Sequence, residues 1–168
     1  VRRDADRRFA DGAVAWYGAG KPATELLPIE TITKRVVAAF LDEEPGRRLL
    51  VILLDGMSVS VAKRILDGHE AWAPASWTPK KMRSMPPGIA VLPTLTSTSR
   101  AAFFAGKERA AHGNEPESAD RKRFAANKAV APFALGGADP RVHLKADLGA
   151  KNSLHDKLAQ AIDDRDER

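Results

Sequence analysis

The chain has 168 residues, enough for one domain with a real core. Apolar residues make up 43% and charged residues 29%, a globular balance that excludes wholesale disorder. There is no cysteine, which excludes disulfides and thiolate metal sites and fits a reducing compartment. The net charge of +5 invites a nucleic-acid reading, but Lys and Arg are scattered among Asp and Glu, as on a solvated surface. No apolar run approaches the roughly 20 residues needed to span a bilayer. The opening Val1-Arg-Arg-Asp-Ala-Asp-Arg-Arg8 lacks the apolar centre of a signal peptide, so a soluble, cytoplasmic protein without membrane contact is expected. Both ends fall in charged stretches beside predicted helices, and the chain reads as a piece of a longer protein.

Phe9, Ala13, Trp16 and Tyr17 recur at helical spacing and predict a first helix ending near Gly18 and Gly20. Ile29, Ile32, Val36, Val37, Phe40 and Leu41 form a stripe of period near 3.6, with Pro45-Gly46 as the stop. Leu49 to Leu54 is a continuous apolar run without alternation, the pattern of a strand covered on both faces of a parallel sheet. Gly56 permits a tight turn, and Ser58 or Ser60 can cap a helix whose inner face is Val61, Ile65 and Leu66. Trp72 to Pro87 reads as a long basic loop, and Gly88-Ile-Ala-Val-Leu92 as a second strand. A helix over residues 97–105 follows, stopped by Gly106.

After a polar loop, residues 116–129 are a helix candidate with a basic outer face, and Arg141-Val-His-Leu-Lys145 a brief strand. Ser153-Leu-His-Asp156 has the character of a capping box and opens a last amphipathic helix through Leu154, Leu158, Ala161 and Ile162. This strand–helix alternation predicts an α/β fold, a layered parallel-type sheet with flanking helices. Ligands are expected outside the carboxyl ends of the strands.

Two residues carry the chemistry. Asp55 ends the run Arg48-Leu-Leu-Val-Ile-Leu-Leu-Asp-Gly56, where a carboxylate either ligates a metal or forms the turn that caps the next helix. Thr96 lies in Pro93-Thr-Leu-Thr-Ser-Thr-Ser-Arg100, where the chain enters a helix. Its hydroxyl is either a nucleophile beside the helix's positive end or one of several caps. Arg100, one turn on, either clamps a phosphate or pairs with a surface carboxylate. His69, His112, His143 and His155 form no ligand pair, and there is neither a P-loop nor a dinucleotide-binding glycine pattern.

Together these motifs resemble the alkaline phosphatase superfamily, and within it the PglZ domain family of BREX bacteriophage-defence systems. Leu50-Val-Ile-Leu-Leu-Asp-Gly-Met-Ser58, Leu92-Pro-Thr-Leu-Thr-Ser-Thr-Ser-Arg100 and His143-Leu-Lys-Ala-Asp-Leu148 carry the likeness, which spans roughly Arg47 to Ile162. His112-Gly113 falls where phosphodiesterase relatives often have such a pair. The resemblance implies an alkaline-phosphatase-like core, with 1–46 a helical amino-terminal region and 47–168 the amino-side part of the domain. It implies a metal-dependent phosphatase or phosphodiesterase, with Thr96 as nucleophile and metal ligand, Asp55 as metal ligand and Arg100 as phosphate contact. A divalent metal, zinc by family expectation, would be the cofactor, and a BREX methyltransferase, ATPase and kinase the partners.

The chain departs from the superfamily at the rest of the metal cage. It has no Asp-His pair, and His155-Asp156 is reversed and on a predicted helix. The core is therefore expected to be incomplete, with the next strand beyond Arg168 and this portion inactive alone. Two alternatives stay open. One is a non-catalytic assembly module that contacts partner proteins or DNA through the Trp72–Arg83 loop and the Asp120–Phe124 cluster. The other is a sulfatase or phosphomutase relative.

Overall fold

The computed structural model describes residues 2–20, 26–67, 77–80, 86–92, 94–108, 116–134, 139–144 and 147. Helix α1 spans Arg2–Gly18 and runs as the spacing predicts. Only Ala13 on it is buried, while Phe9 remains 64% exposed, so the helix touches the body along a narrow line. Near its end the Trp16 and Tyr17 rings meet edge to face at 5.2 Å, and the Leu92 N–H reaches the Tyr17 hydroxyl at 3.4 Å.

The predicted stripe over 29–41 is helical but not of one period. A 3-10 turn, Ile29–Thr31, leads into a π-helix, Thr33–Ala38, and a single α-turn α2, Ala39–Leu41. The wider π-turn changes which side chains face inward. Thr33, Val37 and Ala38 are buried, whereas Ile29, Ile32, Val36 and Phe40 are half-buried. Beyond it, Arg47 secures the stop: its Nη1 donates to the Phe40 carbonyl at 2.9 Å and its guanidinium lies 4.4 Å over the Phe40 ring. Trp77 packs edge to face on Phe40 at 5.1 Å and donates its indole N–H to Glu43 at 2.9 Å.

The sheet is small and differs from expectation in its members. Strand β1, Leu27–Pro28, which the sequence reading leaves unassigned, pairs in parallel with β2, Gly88–Ile89. The predicted core strand Leu49–Leu54 joins no strand. Its backbone is irregular, and Leu50, Val51, Ile52, Leu53 and Leu54 are each 43–58% exposed. A strand exists only by pairing with a neighbour, and among the described residues nothing pairs with this run. Helix α3, Val59–Asp67, follows as predicted: Ser58 Oγ accepts the Val61 N–H at 3.3 Å and so caps it. Its expected inner face is exposed at Val61 and Ile65, because the unpaired run before it offers no sheet to cover.

The core gathers around α4, Thr96–Ala105, where Ala101, Ala102 and Phe103 are buried. Against it lie the turn Ile29–Thr31 and helix α5, Asp120–Ala125, entered through a 3-10 turn at Glu117–Ala119. Edge-to-face contacts run from Phe103 to Phe104 at 5.4 Å and on to Phe124 at 5.7 Å. The helix predicted to reach residue 129 stops at Ala125, and another 3-10 turn follows at Ala131–Phe133. Arg141–Leu144 forms no strand, and the last predicted helix, with His69, His112 and His155, lies outside the described residues. Among the described residues no helix is long and apolar enough to cross a membrane.

Gly106 closes α4 in the left-handed conformation at φ 64°, and its N–H bonds back to Ala102 and Phe103. Beside it, Asn127 is 2% exposed and ties three segments together. Its Nδ2 donates to Thr33 Oγ1 and to the Phe104 carbonyl, each at 3.1 Å, and its Oδ1 accepts the Ala129 N–H at 3.0 Å.

Candidate functional site

Asp55 occupies a turn with Gly56, whose φ of 70° is the left-handed value that glycine adopts without strain. Its carboxylate is exposed at the end of the apolar run. That position is open to a solvent cation, although the paired strand that would hold the run rigid is not formed.

Thr96 is the first residue of α4. The residue before it, Leu95, takes the N-cap position in extended conformation and makes no side-chain capping bond. Thr96 therefore stands at the positive end of the helix dipole, behind a residue that supplies no side-chain cap. Among the hydroxyls that open the helix, burial separates the candidates. Thr98 and Ser99 turn into the core, Ser97 is half-buried, and Thr96 is exposed. Leu95, not Thr96, thus stands at the N-cap position, and Thr96 is exposed.

Arg100 lies one turn on, directed across to α5. Its Nε donates to Asp120 Oδ2 at 2.5 Å, while Arg123 Nη1 donates to Asp120 Oδ1 at 2.5 Å and to the Pro116 carbonyl at 3.1 Å. Asp120 is fully buried, so both its oxygens are held by guanidinium groups and α4 is fastened to α5 through a charge bridge. The ion-paired reading of Arg100 matches this geometry; a phosphate contact would have to share the guanidinium with Asp120. Sequence reasoning missed Asp120. The three-residue spacing to Arg123 was visible, but the pairing with Arg100 spans 20 residues and needed the packing of two helices.

No hydrogen bond or ion pair joins Asp55 to Thr96 or Arg100. Among the described residues no three His, Asp or Glu side chains converge to hold a metal ion. One carboxylate and one hydroxyl fall short of the roughly four to six ligands that a divalent cation takes. The described residues do not form a metal cage by themselves.

Two carboxyls elsewhere are held in their charged form. The Trp77 indole N–H, with the Arg47 guanidinium, keeps Glu43 below the usual carboxylate range. Arg121 Nη2 and the Leu144 N–H do the same for Asp147, and Arg121 Nε also reaches the Val142 carbonyl at 3.2 Å.

No family model matches the chain, and neither a curated protein nor a solved structure matches it.

Proposed function

We propose that the chain is the amino-side part of a phosphoric ester hydrolase of PglZ type, acting in the bacterial cytoplasm in BREX phage defence. Its partners there would be the methyltransferase, ATPase and kinase of the system. The observation that carries the reading is Thr96: an exposed hydroxyl-bearing residue that opens α4 at the positive end of the helix. In this reading Thr96 Oγ attacks phosphorus, the P–O bond to the leaving alcohol breaks, and the phosphoryl group stays on the threonine until water removes it. The helix amino terminus favours the negative charge spread over the phosphoryl oxygens.

A divalent metal, zinc by the resemblance, would be the cofactor, supplying the charge that lowers the pKa of a bound hydroxyl. Asp55 is the residue of this portion assigned to it, with Thr96 as the second ligand once deprotonated. The reading requires further ligands outside the described residues, and this portion alone is expected to be inactive.

The test is hydrolysis by the full-length protein of p-nitrophenyl phosphate, bis(p-nitrophenyl) phosphate and p-nitrophenyl sulfate. Thr96→Ala should lower kcat/KM on the phosphate esters by about a thousandfold or more, as loss of a nucleophile does in other hydrolases. Unchanged hydrolysis in that variant overturns the assignment, and a preference for the sulfate ester moves the chain to the sulfatase alternative.

A further inference from the structure

Asn127 gathers three segments, and a lysine comes next in each. Lys34 follows Thr33, whose Oγ1 accepts from Asn127 Nδ2 at 3.1 Å. Lys107 follows Gly106, which lies against the Asn127 amide, and Lys128 follows Asn127 itself. All three lysines are exposed, and none forms a hydrogen bond or ion pair with another described residue. The residue before each is fixed, since Thr33 and Asn127 are buried and Gly106 closes α4. Successive Cα atoms lie about 3.8 Å apart. The three ammonium groups therefore rise from one small area, on backbone that Asn127 holds together.

Within three residues of Thr33, Gly106 and Asn127, the described charged residues are these lysines with Arg35, Glu30 and Glu108. Glu30 is buried, and both carboxylates already interact within the chain. Arg35 lines one cleft with the two of them, so it is set against their charge. The three lysines are left as an excess of positive charge, and an anionic partner relieves the repulsion among them.

We propose that Lys34, Lys107 and Lys128 form a contact surface for the phosphate backbone of duplex nucleic acid. The proposal rests on no part of the phosphoester-hydrolase reading. Protein interfaces are depleted in lysine and centre on apolar or aromatic anchors. No large apolar side chain is exposed among the described residues of 26–38, 101–108 and 116–134. Lysine is a point charge on a flexible stem, suited to phosphate oxygens at varied positions. Phe104 and Phe124 pack edge to face on each other at 5.7 Å and are half-buried, so they offer unpaired bases no open platform. A duplex, with its bases stacked inside and its phosphates outward, matches such a surface. Binding is independent of sequence, because the lysines meet phosphate and not base edges.

The test is fluorescence anisotropy of a fluorescein-labelled DNA duplex of mixed sequence, titrated with the 168-residue chain over a range of NaCl concentrations. Replacing Lys34, Lys107 and Lys128 together with Gln should weaken binding about tenfold or more at low salt. It should also flatten the slope of log affinity against log salt by about 3, since each lost phosphate contact removes roughly one unit. Each single Lys→Gln change should flatten it by about 1, which keeps the test readable if the triple variant loses its fold. Lys63, Arg64 and Lys80, replaced together with Gln, change the net charge equally and should cost less than about threefold.

The assignment is overturned if the wild type does not bind, or if the two triple variants lose affinity equally. A competition arm adds unlabelled duplex or poly-glutamate at matched concentration of charge. Stronger displacement by the duplex supports a nucleic-acid surface. Equal or stronger displacement by poly-glutamate shows a surface for acidic protein segments and overturns the duplex.

Discussion

A methyl group at residue 106 would lie 2.6 Å from Asn127 Oδ1 and 2.8 Å from its Cγ, closer than any real Cβ contact. The same residue has φ 64°, so Gly106→Ala meets backbone strain and a clash with the buried amide at once. The expected loss is about 2–4 kcal/mol, read as a lower denaturation midpoint. Asn127→Asp tests the amide itself. A carboxylate cannot donate to the Phe104 carbonyl, and a buried acceptor without its donor should cost about 1–3 kcal/mol. Asp120→Ala should cost about 3–5 kcal/mol, because it removes the buried carboxylate that both Arg100 and Arg123 hold. Arg121 and the Leu144 N–H hold Asp147 ionised, so its pKa is lower folded than unfolded. Its contribution is therefore present above the unfolded Asp value, about 4, and lost as pH falls through the folded value. Stability of Asp147→Asn and wild type measured against pH should differ near neutrality and converge in acid.

At the scale of elements, local patterns and pairing patterns behave differently. The bounds of α1 and α4, the Ser58 cap of α3 and the Gly106 stop are legible because periodicity, capping and a glycine at the C-terminus act within a few residues. Leu49–Leu54 is apolar enough for a core strand, yet a strand needs a partner that composition cannot name, and Leu50 to Leu54 lie exposed. The converse holds for Leu27–Pro28: two residues with no strand pattern pair with Gly88–Ile89 because the helical turn that follows packs on α4. The site divides the same way. Thr96 opening a helix is local and readable, whereas Arg100 meeting Asp120 depends on how α4 crosses α5. Replacing Ile52 and Leu54 with Lys tests the strand expectation. In the 168-residue chain the thermal midpoint should hardly move, since neither side chain is buried. A fall of several degrees would mean that the run is packed in solution.

For the molecule as a whole, the described residues fasten α4 well: Asn127 at its carboxyl end, the Asp120 bridge to α5 along its length, and an exposed threonine at its amino end. Such a helix can hold a nucleophile steady. The Asp55 end is the opposite case, a carboxylate on an exposed turn after a run that is unpaired among the described residues, which supply it no companions for a metal cage. The proposed hydrolase therefore stands on a rigid half and a half that other segments must complete. The measurement closest to that claim is a search for phosphate on Thr96. The full-length protein is incubated with p-nitrophenyl phosphate, quenched in acid and digested for peptide mass spectrometry. Phosphothreonine at position 96, absent from Thr96→Ala, is the predicted result. Steady hydrolysis with Thr96 unmodified, and undiminished in Thr96→Ala, would contradict it.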